Sequence, residues 1–192
     1  MRSKFFCRRR ALLLLAALGC LLVALLCKEQ WERRLYPLDY AEHVSQYADK
    51  YGVDEHIIYA VIKTESDFDS SAVSRAGAIG LMQITPDTFR WLTDYHLKEE
   101  LDPSACYDAK TNIRYGVYYL SFLYERYEDW TAVWAAYNAG PGRVDQWLLD
   151  ASLTDADGAL MPSRIPFGET RAYVQRVRRT TEIYKLLYPD LD

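Results

Sequence analysis

The stretch VIKTESDF, residues 61–68, ends an apolar run on an acid, Glu65. Upstream, Asp54 has the right chemistry for a helix N-cap, and Glu55 follows in the first turn, where a negative charge suits the helix dipole. Ile57, Ile58, Val61 and Ile62 then recur at helical spacing and define a buried stripe. Glu65 lies four residues after Val61 and seven after Ile58, so it projects from that same stripe. A carboxyl held against apolar neighbours loses solvation, which favours its neutral form. A neutral carboxylic acid near pH 7 is a general acid. A structural ion pair at the stripe's edge satisfies the same geometry, so this helix alone leaves both readings open.

Working outward, helical periodicity dominates the chain. A first helix is predicted over about 39–51, stopping at Gly52. Thr85-Pro86 opens another, with a capping side chain followed by a proline suited to the first turn. A long helix follows from about 108 to 127, with a stripe through Ile113, Val117, Leu120, Leu123 and Tyr124. Residues 130–138 form a short apolar helix that ends at Ala139-Gly140, and Pro141 starts the next. Residues 151–168 read as a loop, and 169–187 as a final helix. The predicted fold is mainly α, with room for one small hairpin at 72–83. Sixteen tyrosines and five tryptophans are present. Composition leaves open whether they fill the core or form platforms for sugar faces.

The N-terminal 27 residues differ in kind. Residues 1–10 carry five Lys or Arg and no acid, and 11–27 are an unbroken run of 17 apolar or small residues. That length is near the lower limit for crossing a bilayer, roughly 17–25 residues, and exceeds the roughly 7–15 of a signal-peptide core. No A-x-A site closes the run. A retained transmembrane anchor is therefore expected over a cleaved signal or a lipid-modified Cys20. The basic end would stay cytoplasmic, with the rest on the outer face of the cell membrane. Residues 28–37 read as a charged linker, and 38–192 as one domain. Beyond residue 27, 18 Lys or Arg stand against 27 Asp or Glu, a net charge of −9. An acidic external domain argues against nucleic acid as a partner. Cys106 is the only cysteine in this part, and the three histidines are scattered, so no disulfide, metal or other cofactor is expected. TDADG at 154–158 lacks the spaced ligands and closing Glu of a calcium loop.

Four further stretches complete the pattern: Glu65-Ser66; Gly-Leu-Met-Gln at 80–83; Ala-Tyr-Asn-Ala-Gly at 136–140; and Glu-Thr-Arg-Ala-Tyr-Val at 169–174. Singly, each reads equally well as a turn, a helix stop or a packed helix. Together and in order, they resemble the lytic transglycosylase domain of the soluble-lytic-transglycosylase type, which is related to goose-type lysozyme (glycoside hydrolase family 23). The resemblance spans about 38–188. It implies a lysozyme-like helical domain with a cleft for peptidoglycan glycan strands, and Glu65 as a single catalytic acid and base. It further implies that Ser74, Met82, Gln83, Tyr137 and Asn138 line the cleft, that Tyr173 orients the acid or the sugar, and that Glu169 meets the peptide stem. The implied reaction cleaves the MurNAc–GlcNAc bond without water and leaves a 1,6-anhydro end. Two alternatives stay open from the sequence: a hydrolysing muramidase using Asp67 or Asp69 as a second carboxylate, and a wall-binding module without catalysis.

Overall fold

The structure, a computed structural model, describes residues 18–24 and 27–191. They fall into two compact units that divide between Pro37 and Leu38. In the first, residues 18–24 are helical, and the stretch expected as a linker is helical over 27–35. Its charges pair one helical turn apart, Lys28 with Glu32 at 3.5 Å and Glu29 with Arg33 at 3.0 Å. The membrane-spanning expectation for 11–27 falls largely outside the described residues. Among those described, no helix is long and apolar enough to cross a membrane.

The regular secondary structure of the second unit is helical. Its α-helices are α1 (Ala41–Tyr51), α2 (Glu55–Ser66), α3 (Pro86–Trp91), α4 (Ala109–Tyr127), α5 (Trp130–Ala139), α6 (Pro141–Leu148) and α7 (Gly168–Leu187). A π-helical turn continues α3 over Leu92–Leu97, and short 3₁₀ turns cover Pro103–Tyr107 and Pro162–Arg164. The starts follow the sequence's capping chemistry. Asp54, Thr85, Asp108 and Asp129 each accept a hydrogen bond from a backbone N–H in the first turn of α2, α3, α4 and α5. Gly52 closes α1 at φ 65°, a left-handed conformation glycine adopts without steric cost.

The hairpin expected at 72–83 is not formed. Isolated antiparallel bridges pair Val73 with Ile79 and Ile79 with Ile84, and no strand occurs among the described residues. The cause is local. Gly77, Gly80 and Gln83 all take positive φ, and bonds such as Gly77 N–H to Ser74 O at 2.9 Å fold the segment into successive tight turns.

Helix α2 is buried on every side from Glu55 to Ile62, more than the single stripe its sequence suggests. A helix wrapped this way is the centre of a domain rather than its surface. It packs chiefly against α7, while α5 touches α4, α6 and α7. The two long partners run antiparallel: Lys185 near the end of α7 pairs with Asp54 before α2, and Tyr173 near the start of α7 interacts with Glu65 at the end of α2. Full burial of Ile58 and Ile62 contributes roughly 1.5–3 kcal/mol each. Many tyrosines belong to this core. Tyr59 stacks on Tyr184 at 5.5 Å and Phe89 on Tyr115 at 4.3 Å, all four being fully buried.

Candidate active site

Glu65 occupies the last turn of α2. Asp67 caps the helix at φ 53° and Phe68 follows at φ 66°, two successive non-glycine residues in the left-handed region. Such backbone is costly and persists only where its surroundings fix it. The fixing contact comes from Ser66, whose hydroxyl donates to the Leu81 carbonyl at 2.8 Å and ties the helix end to the 79–84 loop.

That loop is braced from the far side by Asn112 of α4. Its Oδ1 accepts from Met82 N–H at 2.7 Å, and its Nδ2 donates to Ile79 O at 2.9 Å and Cys106 O at 2.8 Å. Asn112 is fully buried, so its amide is committed to holding the loop. Two glycines make room. A Cβ on Gly80 would lie 2.4 Å from Asn112 Nδ2, and one on Gly116 would lie 2.3 Å from Met82 Sδ. Met82 is consequently a core side chain with no solvent exposure, and it acts through its backbone. Its carbonyl accepts from the Tyr137 hydroxyl at 2.8 Å. Gln83 likewise turns its amide inward, donating to Ala72 O at 3.1 Å and Gly80 O at 2.9 Å.

Around Glu65, the structure gathers Tyr137 from α5 and Tyr173 from α7, both of which interact electrostatically with its carboxyl. Residue 65 as a whole keeps some solvent exposure, but its carboxyl is enclosed. Burial raises its pKa from 4.5 to about 7, against lowering contributions from Tyr173 and from Arg176. The helix end adds in the same sense as burial, since its exposed carbonyls disfavour a negative charge. Among the described residues, no second carboxylate perturbs Glu65. Asp67 is paired with Lys63 and largely solvated. The Asp69 carboxylate accepts from the Ser71 N–H at 2.8 Å and hydroxyl at 2.6 Å, and these bonds hold its pKa below the usual carboxylate range. The Tyr173 hydroxyl is buried with no hydrogen bond of ordinary geometry, and Glu65 is the acid it acts on.

Asn138 is exposed and linked to α7 by the Thr170 hydroxyl, which donates to its Oδ1 at 2.8 Å. Ser74 and Glu169 are exposed, and no contact among the described residues ties either to Glu65. The Ser74 hydroxyl accepts from Ala78 N–H at 3.0 Å. Nearby, Tyr119 packs on Tyr137 with ring centroids 5.3 Å apart and lines a cavity of about 240 Å³ with Trp91, Thr88 and Pro141. The sequence reading assigned no role to Asn112, Tyr119 or Arg176. Asn112 left one signal, a polar residue four positions before Gly116 and so on the same face of α4.

An enclosed glutamic acid beneath two tyrosines, on a helical scaffold, defines a site for acid–base chemistry. The chain belongs to the transglycosylase SLT domain family, whose model matches residues 42–157. It is 32% identical to the soluble lytic murein transglycosylase of Escherichia coli K12 over 81% of this chain and 24% of that protein. It is 33% identical to the membrane-bound lytic murein transglycosylase C of Cronobacter sakazakii over 76% of this chain and 46% of that protein. Among solved structures, the 70 kDa soluble lytic transglycosylase of E. coli superposes with a TM-score of 0.75 at 31% identity, covering 83% of this chain and 26% of that one. An inactive glutamate-to-glutamine mutant of the Pseudomonas aeruginosa lytic transglycosylase Slt gives a TM-score of 0.73 at 33% identity, over 82% and 25% of the two chains. The chain thus spans about a quarter of the soluble relatives it matches, and under half of the membrane-bound one.

Proposed function

We propose that this chain cleaves peptidoglycan as a lytic transglycosylase, with Glu65 as its only catalytic carboxyl. The observation that carries the reading is a single enclosed acid whose pKa of about 7 gives it access to both protonation states near neutrality. Protonated Glu65 donates to the glycosidic oxygen between MurNAc and GlcNAc, and the GlcNAc side departs as an alcohol. The muramic 2-acetamido group stabilises the cationic C1. The Glu65 carboxylate then takes the proton from that sugar's own O6 as O6 bonds to C1, which closes the 1,6-anhydro ring and restores the acid. No water is consumed. Tyr173 and Arg176 favour the carboxylate needed for the second step, and burial favours the acid needed for the first.

In this reading, Ser74, Asn138 and Glu169 are the exposed groups that meet substrate, Glu169 towards the peptide stem. Met82, Gln83 and Tyr137 hold the loop and the acid in register. The commitment of Asp67 and Asp69 to Lys63 and Ser71 weighs against a hydrolysing muramidase. Mass spectrometry of products from purified peptidoglycan decides the matter. Anhydro ends that borohydride cannot reduce are expected, and reducible ends would overturn the proposal.

The same reading places the enzyme at the outer face of the cell membrane, held by residues 11–27. The run's length and the existence of a membrane-bound relative support it. The full chain should stay with membranes through alkaline carbonate washing and leave them only in detergent.

A further inference from the structure

The helix over 27–35 carries a side-chain pattern that the proposed reaction does not use. Cys27, Trp31 and Leu35 recur at steps of four, so they fall within about 80° of the helix circumference. Lys28 and Arg34 flank Trp31 by about 60° on either side, and Glu29, Gln30, Glu32 and Arg33 lie about 100° or more away. Both acids are engaged in ion pairs along the helix, Glu29 with Arg33 and Glu32 with Lys28. One face is therefore apolar with cationic shoulders, and the acids stand off it. Trp31 is 62% exposed and Leu35 45%, so the described residues leave that face open.

An open tryptophan between two cations suits a membrane surface. There the indole sits at headgroup level, and Lys and Arg stems run along the apolar face to reach water or phosphate. The neighbouring sequence supplies that surface. Cys27 closes the apolar run of residues 11–27. In the described part of the run, Leu18, Leu21, Leu22 and Val23 are helical and each is more than half exposed. Trp31 comes about 6 Å past Cys27 along the helix axis, and Leu35 about 12 Å. The headgroup layer on each side of the hydrocarbon is about 5–8 Å deep. A helix standing upright on the run therefore places Trp31 in that layer, and a helix lying flat places Trp31 and Leu35 there together. A tether held in water gains nothing from a large aromatic side chain, whereas a bilayer removes its apolar surface from water.

We propose that the face of Trp31 and Leu35 binds the phospholipid surface beside the anchor, which makes this helix a second membrane contact instead of a free tether. The inference rests on the membrane-anchor reading of residues 11–27. The test places the full chain in vesicles of phosphatidylethanolamine and phosphatidylglycerol. Matched batches carry bromine on the acyl chains, either near the headgroup or near the chain end. Bromolipid should quench part of the tryptophan emission, more strongly with bromine near the headgroup, and Trp31→Phe should lose that quenching. The same variant keeps an apolar ring, so it should stay with the vesicles through carbonate washing as the parent does. Release of the parent by carbonate would sink the anchor and this contact together, whereas retention without quenching would sink the contact alone. Quenching that survives in Trp31→Phe would belong to another tryptophan and overturn the assignment. Free access of aqueous acrylamide to Trp31 would give the face to water, and shielding that grows with the protein-to-lipid ratio would give it to a second copy. Either result overturns the proposal.

Discussion

In the proposed reaction, Glu65 serves chemistry at the expense of stability. Replacing it with Gln keeps the shape but removes the titratable proton, so release of muropeptides should fall by about 10²–10⁴-fold or more, read by chromatography of digested peptidoglycan. The pH dependence of the parent follows from the raised pKa. The first step needs the protonated acid, so activity should decline as pH climbs through about 7. Tyr173 and Arg176 both lower that pKa, so Tyr173→Phe or Arg176→Gln should move the decline to higher pH. Stability follows the same titration. Below about pH 4.5 the carboxyl is protonated whether the chain is folded or not. Between 4.5 and about 7 the unfolded chain ionises first, and the folded state loses ground until its own carboxyl ionises. The full difference is about 3 kcal/mol before allowance for the residue's partial exposure. Glu65→Gln should therefore be more stable than the parent in denaturant at pH 8 by about 2–3 kcal/mol, with the gap closing at pH 4.5.

At the scale of elements, the 79–84 loop is the part most dependent on distant residues. Asn112→Ala would orphan the Met82 N–H and take a donor from the Cys106 carbonyl inside the core, while the Ile79 carbonyl would keep only its bond from the Ile84 N–H. A loss of about 3 kcal/mol or more is expected, a fall in melting temperature of about 6–12 °C by calorimetry. Gly116→Ala should be similarly harmful, because its methyl would collide with Met82. Helix starts were legible in the sequence because a cap is local chemistry: an Asp or Thr, a proline, an acid in the first turn. The centrality of α2 was not, since its burial on all sides is decided by helices far along the chain. The π-helical turn at 92–97 carries no Gly or Pro to announce it. The inward turn of Met82 and Gln83 was hidden too. Their motif placed them beside Glu65, but only Asn112 and Gly116, about thirty residues later, show that they support the loop from within.

Across the whole second unit, the candidate site draws on residues 65, 82–83, 137–138 and 173, so no single segment contains it. The enclosure of Glu65 was legible because an apolar stripe leads to it along α2. The pairing of α2 with α7 has a consequence for a chain made from its N-terminus. Until Gly168–Leu187 has been synthesised, α2 lacks its main packing partner and Glu65 lacks both Tyr173 and the enclosure that keeps it protonated. A nascent fragment thus carries an ordinary ionised glutamate at neutral pH, with no proton to offer. A fragment that stops short of this helix therefore lacks the raised pKa on which the proposed chemistry depends.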